Sequence, residues 1–363
     1  MLKDILESKK CFKLVCGAGN EDTDEVEKLV AVYALAGANY FDLSAKPEIV
    51  QAAQRGLDRV IPVDQLHNYH LNISVGIKGD PHISKAFINQ GDCKRCGKCA
   101  DVCKIQNAIQ LVDISSNPSI KLCYLTVDDK KCIGCGHCKE VCKSNAITMN
   151  SETKPIQEIL NSLPLGQLSS IELHANSKNK EEIYTQWGNL QKGYSGILSL
   201  CLDRSLMGDI ELIEFIKFLI KDRKPYTTII QADGCPMGGT DNEPSTTLQA
   251  LAIAQIVQKA NLPVYLLLSG GTNAETTHLS RLFNIQSHGV AIGSYARMIV
   301  KEYIDHPDFW EDELVRCKAF EIAKNLVFKS LFYLGENRET FSMTIKTDNN
   351  WQVYQDLKRW IKE

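Results

Sequence analysis

The chain has 363 residues, 44% of them hydrophobic and 23% charged, with a formal net charge of −3. This is ordinary globular composition, long enough for a large core or two domains, and the near-neutral balance gives no support for nucleic-acid binding. The first ten residues are charged throughout and lack the apolar stretch of a signal peptide, and no apolar run approaches the roughly 20 residues of a membrane span; the fourteen cysteines are therefore expected in a reduced, cytoplasmic protein rather than in disulfides.

Strand-like and helix-like segments alternate along most of the chain. Residues 11–15 (CFKLV) read as a strand, and 23–36 as an amphipathic helix with Val26, Leu29, Val30 and Tyr33 at helical spacing. Residues 39–43 (NYFDL) form a second strand, and Pro47 opens a helix to about residue 57. A third strand at 71–77 is followed by the break Lys-Gly-Asp-Pro. The alternation resumes after residue 150, with helices at 154–163, 180–190, 209–221, 245–260 and 274–283. Strands at 170–174, 196–202, 227–232, 264–268 and 289–292 lie between and after them.

Eight apolar strands, each followed by a helix, suit a buried parallel sheet. They predict an α/β fold, a (β/α)8 barrel, ahead of an open doubly wound sheet. The glycine fingerprint of dinucleotide-binding sheets is missing after the first strand, where only Gly17 and Gly19 stand. The expected organisation is a first part of the barrel over 1–80, an insert over 81–150, the remainder of the barrel over 151–304, and a helical extension over 305–363. That extension has an amphipathic stretch at 307–334 and a closing helix at 351–363 carrying Trp351 and Trp360.

The insert carries the sharpest signal. Cys93, Cys96, Cys99 and Cys103 are spaced C-x2-C-x2-C-x3-C, and Cys132, Cys135, Cys138 and Cys142 repeat that spacing. This is the run that binds two [4Fe–4S] clusters, with the fourth cysteine of each run ligating the other cluster. The expected sets are therefore Cys93, Cys96, Cys99 and Cys142 for one cluster, and Cys132, Cys135, Cys138 and Cys103 for the other. Gly97, Gly134 and Gly136 let the backbone approach the sulfides. Two zinc knuckles are the alternative, but zinc gives no reason for the third C-x2 step.

Lys104 and Lys143 stand where a proline usually follows the fourth cysteine. From Asp92 to Lys143 there are nine Lys/Arg against six Asp/Glu. Such positive charge favours the reduced clusters and an acidic partner, or simply solvates an exposed face. His137 stands inside the second motif, either exposed or bonded to a cluster sulfur.

If the fold is a barrel, the insert lies in the third βα loop, on the C-terminal face where barrel active sites lie. Two further loops fall there: Ser269-Gly270-Gly271-Thr272 and Gly293-Ser294. Gly270, Gly271, Gly293 and Ser294 are the candidates for binding a flavin or another phosphate-bearing ligand through backbone N–H groups, or else they only make tight turns. Asp42, Lys78, His174, Asp203 and Asp233 fall at strand ends, but no pair has a diagnostic spacing, and no catalytic residue is assigned. Cys123 and Cys201 read as core, while Cys16 and Cys235 fall in glycine-rich mouth loops.

The segments KLVCGAGN at 13–20, NYFDLSA at 39–45, the dicluster motif, QADGCPMGGTDN at 231–242 and LLLSGGTNAETT at 266–277 together resemble the light-dependent period family of cyanobacteria. The resemblance covers essentially the whole chain. It implies an iron–sulfur protein that reports cellular redox state to the circadian clock and associates with clock-input proteins. A redox sensor would also exchange electrons with a donor or the quinone pool. The residues alone leave three readings open: a redox sensor, an iron–sulfur oxidoreductase and an electron carrier.

Overall fold

The computed structural model describes residues 1–77, 83–105, 107–113, 123–151, 154–175, 179–203, 207–234 and 244–334. Lys78, Cys235 and the expected helix at 351–363 lie outside them. The chain opens on helix α1 (Leu2–Glu7), then β1 (Cys11–Val15), α2 (Thr23–Leu35), β2 (Tyr40–Ser44), α3 (Pro47–Val60) and β3 (His70–Gly76). The insert follows as β4 (Lys85–Ile88), α4 (Lys98–Asp101), β5 (Ile109–Asp113), β6 (Cys123–Val127), α5 (His137–Glu140) and β7 (Ile147–Asn150). The remainder is α6 (Ile156–Ser162), β8 (Leu168–His174), α7 (Lys180–Gly193), β9 (Ile197–Asp203), α8 (Asp209–Ile220) and β10 (Thr228–Asp233), then α9 (Thr247–Lys259), β11 (Tyr265–Ser269), α10 (Thr276–Leu282), β12 (Gly289–Ile292), α11 (Ser294–Ile304) and α12 (Glu313–Leu334).

Eight parallel strands close a barrel in the order β1-β12-β11-β10-β9-β8-β3-β2. These are the eight strands expected from the sequence, and the insert interrupts the third βα connection. Local chemistry sets the helix starts. The Asp22 carboxylate caps α2, accepting from the Asp24 and Glu25 N–H groups at 3.1 Å each. Pro47 occupies the first turn of α3, where a missing N–H costs nothing. Gly56 lets α3 press on α2: a Cβ there would stand 2.4 Å from the Glu27 carbonyl oxygen.

The main core lies between the strands and the helical ring, with Trp187, Phe41, Ile73 and Leu268 fully buried or nearly so. A smaller cluster closes the N-terminal end of the barrel, where Leu2 and Leu6 of α1 cover Cys11, Tyr40, Ile229, Tyr265 and Leu267. The sequence reading gave no role to that first helix. Its charged residues face water while Leu2 and Leu6 plug the barrel floor.

The insert folds as two paired halves. β4 pairs antiparallel with β7, and β5 with β6, so each half contributes a strand to both ribbons. Its core contains Ala86, Ile88, Leu125 and Ile147 together with Cys99 and Cys138.

Candidate functional site

The two cysteine runs occupy equivalent places in the two halves of the insert. In each, the third cysteine lies in a single helical turn, α4 or α5, entered through a glycine at positive φ: Gly97 at 77° and Gly136 at 82°. Only glycine adopts this conformation freely, and a Cβ at either position would meet nothing within 4 Å, so space is open beside both turns. Backbone N–H groups point at sulfur: Arg95 N–H at Cys93 Sγ and Ala86 N–H at Cys132 Sγ, both at 3.4 Å.

Charge neighbourhoods sort the thiols. Burial pushes the Cys138 thiol up to about 11, with Cys135, Cys132 and Cys103 adding to it. Cys103 is likewise raised, by burial first and then by Cys135 and Cys132. The last cysteine of the first run thus neighbours the second run. Cys99 is raised by burial, with Cys93 and Cys96 beside it, and Cys142 is lowered by a hydrogen bond with Ser144 at 3.6 Å. His137 Nδ1 is buried without a hydrogen-bond partner among the described residues, which suits an acceptor supplied by a bound cluster. Neighbouring thiols, N–H groups aimed at sulfur, glycine-lined space and an orphaned donor all fit an iron–sulfur cluster.

The barrel's C-terminal mouth holds a second cluster of polar groups. Lys13 of β1 is fully buried and donates to Glu172 Oε2 at 2.5 Å and to Gln231 Oε1 at 3.3 Å, with Asp42 Oδ1 at 3.6 Å. Asn72 and Ser74 donate to Asp42. Ser199 donates to Glu172 at 3.1 Å, and His174 Nε2 lies 3.0 Å from its other oxygen. Burial would raise the Glu172 carboxyl, but Lys13 and His174 override it and hold it at about 2. Burial raises Asp42 despite Lys13, with Glu172 adding to the rise. Burial would lower Lys13, but the two carboxylates hold it above the ordinary lysine value.

Above this floor is a cavity that collects the four candidates for a phosphate-bearing ligand, whereas Cys16 is fully buried and does not line it. Gly270, Gly271, Gly293 and Ser294 line it, together with Asp42, His174, Asp233 and Arg297. Gly270 and Gly271 both have φ of 69°, and a Cβ on Gly270 would collide with the Asp233 carboxylate at 2.0 Å. Arg297 Nε is buried without a hydrogen-bond partner among the described residues. Lys13, Glu172, Gln231 and Arg297 were not singled out from the sequence, although Ser170, Glu172 and His174 alternate along one strand in a pattern that points them to one face. Cys201, expected in the core, is buried but belongs to this polar group and donates to Asp233 at 3.2 Å. Cys123, also expected in the core, is only half-buried on β6, because that strand belongs to a two-stranded ribbon.

The two sites meet. Ile133, between Cys132 and Cys135, lines the mouth cavity. Lys85 Nζ donates to the Cys132 carbonyl at 2.8 Å and to the Gly19 carbonyl of the β1–α2 loop at 2.5 Å. Glu21 N–H donates to the Lys130 carbonyl at 3.2 Å. The loop of the second cysteine run is therefore fastened across the mouth of the barrel. No described helix is long and apolar enough to cross a membrane.

Residues 92–146 match a 4Fe-4S dicluster domain, and residues 163–329 match the light dependent period A C-terminal domain. The chain is 26% identical over 313 residues to Light dependent period A of Synechococcus elongatus, covering 83% of this chain and 84% of that protein. Among solved structures, a truncated 3-deoxy-D-arabino-heptulosonate 7-phosphate synthase from Thermotoga maritima is similar at 10% identity and a TM-score of 0.42, over 88% of this chain and 84% of that one. Dihydrodipicolinate synthase from Oceanobacillus iheyensis is similar at 8% identity and a TM-score of 0.40, over the full length of both. The 4Fe-4S dicluster insert and the C-terminal match together mark this chain as an iron–sulfur protein similar to Light dependent period A.

Proposed function

We propose that the protein is a redox-responsive regulator that uses two [4Fe–4S] clusters to set the state of the barrel mouth. Cys93, Cys96, Cys99 and Cys142 would hold one cluster, and Cys132, Cys135, Cys138 and Cys103 the other; the placement of Cys103 beside Cys132 and Cys135 supports this crossed assignment. Clusters of this type exchange single electrons. The observation that carries the reading is the join: Lys85 ties the Cys132 carbonyl to the Gly19 loop, and Ile133 enters the mouth cavity. A charge change beside Cys132 acts on Lys85 and hence on the β1–α2 loop.

A regulator must present different surfaces in its two states, or its redox change transmits nothing. The resemblance to Light dependent period A suggests clock-input proteins as the partners. The test is hydrogen exchange on anaerobically purified protein, oxidised and then reduced with dithionite. Exchange is expected to change at residues 17–21 and 130–135. Identical exchange in both states, together with equal partner affinity in the oxidised, reduced and cluster-free protein, overturns the proposal.

A second reading has its own observation. The orphaned Arg297 Nε, Ser294 at the start of α11 and the Gly270–Gly271 turn line one cavity beside the cluster loop, as an oxidoreductase with a flavin or other phosphate-bearing ligand requires. Flavin absorption beside the broad iron–sulfur band in the purified protein selects this reading.

A further inference from the structure

Three side chains on the cavity floor have no part in the cysteine runs. Glu172 and His174 lie on β8 and Cys201 on β9. The pairing of β8 with β9 sets His174 opposite Cys201, and Glu172, two residues before His174, shares its face of the sheet. All three are buried, and one oxygen, one nitrogen and one sulfur from them lie within 4.8 Å of one another.

We infer that Glu172, His174 and Cys201 form a site for a single divalent d-block cation of the zinc class. The donor types are those zinc takes, and three protein ligands with an open fourth position mark a site that can hold an exchangeable ligand. Here the open position faces the cavity lined by Gly270, Ser294 and Arg297. The surroundings orient the carboxylate: Lys13 and Ser199 both engage Glu172 Oε2, leaving Oε1 towards His174 Nε2 at 3.0 Å. Outer hydrogen bonds of this kind fix metal ligands in place. Asp233 Oδ2, 3.2 Å from Cys201 Sγ, adds an oxygen next to the sulfur.

The charges also match. Asp42, Glu172, Asp233 and a Cys201 thiolate bring four negative charges, and Lys13, Arg297 and a divalent ion bring four positive ones, with the thiol proton released on binding.

The element-specific test is zinc-edge X-ray absorption on the anaerobically purified holoprotein after dialysis against micromolar zinc chloride, since cluster iron does not contribute at that edge. About one zinc per chain is expected, with one sulfur near 2.3 Å and the remaining ligands nitrogen or oxygen at about 2.0–2.1 Å. Cys201→Ala and His174→Gln should each lower zinc at least tenfold while cluster iron stays constant. Failure to retain zinc, an all-sulfur shell marking zinc in the cysteine runs, or full zinc in both variants overturns the site. If neither variant folds, the coordination shell of the unmodified protein decides alone.

Discussion

Lys13 Nζ lies 2.5 Å from Glu172 Oε2 in the interior of the barrel, where neither side chain reaches solvent. A buried pair of this kind adds little net stability, but breaking it leaves an uncompensated charge in a poor solvent. Lys13→Met should therefore lower unfolding stability by about 3–5 kcal/mol. Adding Glu172→Gln should restore part of the loss. Urea unfolding under anaerobic conditions measures both, and a single variant as stable as the parent refutes the role given to the pair.

The crossed ligand assignment predicts an asymmetric result for two substitutions that look alike in sequence. Cys103→Ser should damage the cluster of the second run, because Cys103 neighbours Cys132 and Cys135. Cys142→Ser should damage the cluster of the first. Iron and sulfide counting shows how many clusters remain, and redox-titrated EPR shows which. Loss of the first cluster in Cys103→Ser means that the fourth ligands do not cross.

Gly270 predicts a loop that tolerates no side chain. Its φ of 69° disfavours any other residue, and a Cβ would meet Asp233 Oδ1 at 2.0 Å and Gly234 N at 2.5 Å. Gly270→Ala should cost about 1–3 kcal/mol in strain. It should also displace Asp233 from Cys201. The checks are thermal unfolding and the reactivity of Cys201 towards an alkylating agent, which should rise. Unchanged stability and reactivity would mean that the loop relaxes freely.

Much of this was legible in the sequence, for identifiable reasons. All eight barrel strands were found because each is a short apolar run closed by a turn signal, and the cluster residues because their spacing is set by iron chemistry. The polar barrel interior was not found. Lys13 stands in CFKLV, a run read as apolar, and only closure of the barrel turns it towards Glu172 on a strand far along the chain. Arg297 lies one turn into α11 and became interesting only once the β12 loop faced the Gly270 turn. Helix α1 is hard to read from the sequence because Leu2, Ile5 and Leu6, although at helical spacing, span little more than one turn of a charged decapeptide. The contact of Ile133 with the mouth has no sequence signature, since it depends on how the insert tilts over the barrel.

Lys85 predicts a difference between the two clusters. Its ammonium lies against the Cys132 carbonyl of the second run. Removing a nearby cation disfavours the reduced, more negative cluster. Lys85→Met should lower the potential of the second cluster by about 20–60 mV, the one-electron equivalent of roughly 0.5–1.4 kcal/mol. The first cluster should move far less. Redox-titrated EPR reads both, and equal shifts, or none, refute the selective contact.

His70 makes the barrel floor sensitive to acid. It begins β3, and its Nδ1 lies 2.9 Å from Ser169 Oγ. Burial, helped by the N-terminal ammonium, pushes its pKa down to about 4. The unfolded chain takes up this proton near pH 6.5, whereas the native protein does not until about pH 4, so the unfolded state binds more protons between those values. The His70 contribution to stability is therefore intact above about pH 6.5 and is lost progressively as the pH falls towards 4, by about 2 kcal/mol at pH 5. His70→Asn keeps a polar group at the position and removes the titration. Its urea midpoint should fall less than that of the parent between pH 7 and pH 5, and parallel losses in the two proteins would assign the acid sensitivity to other groups.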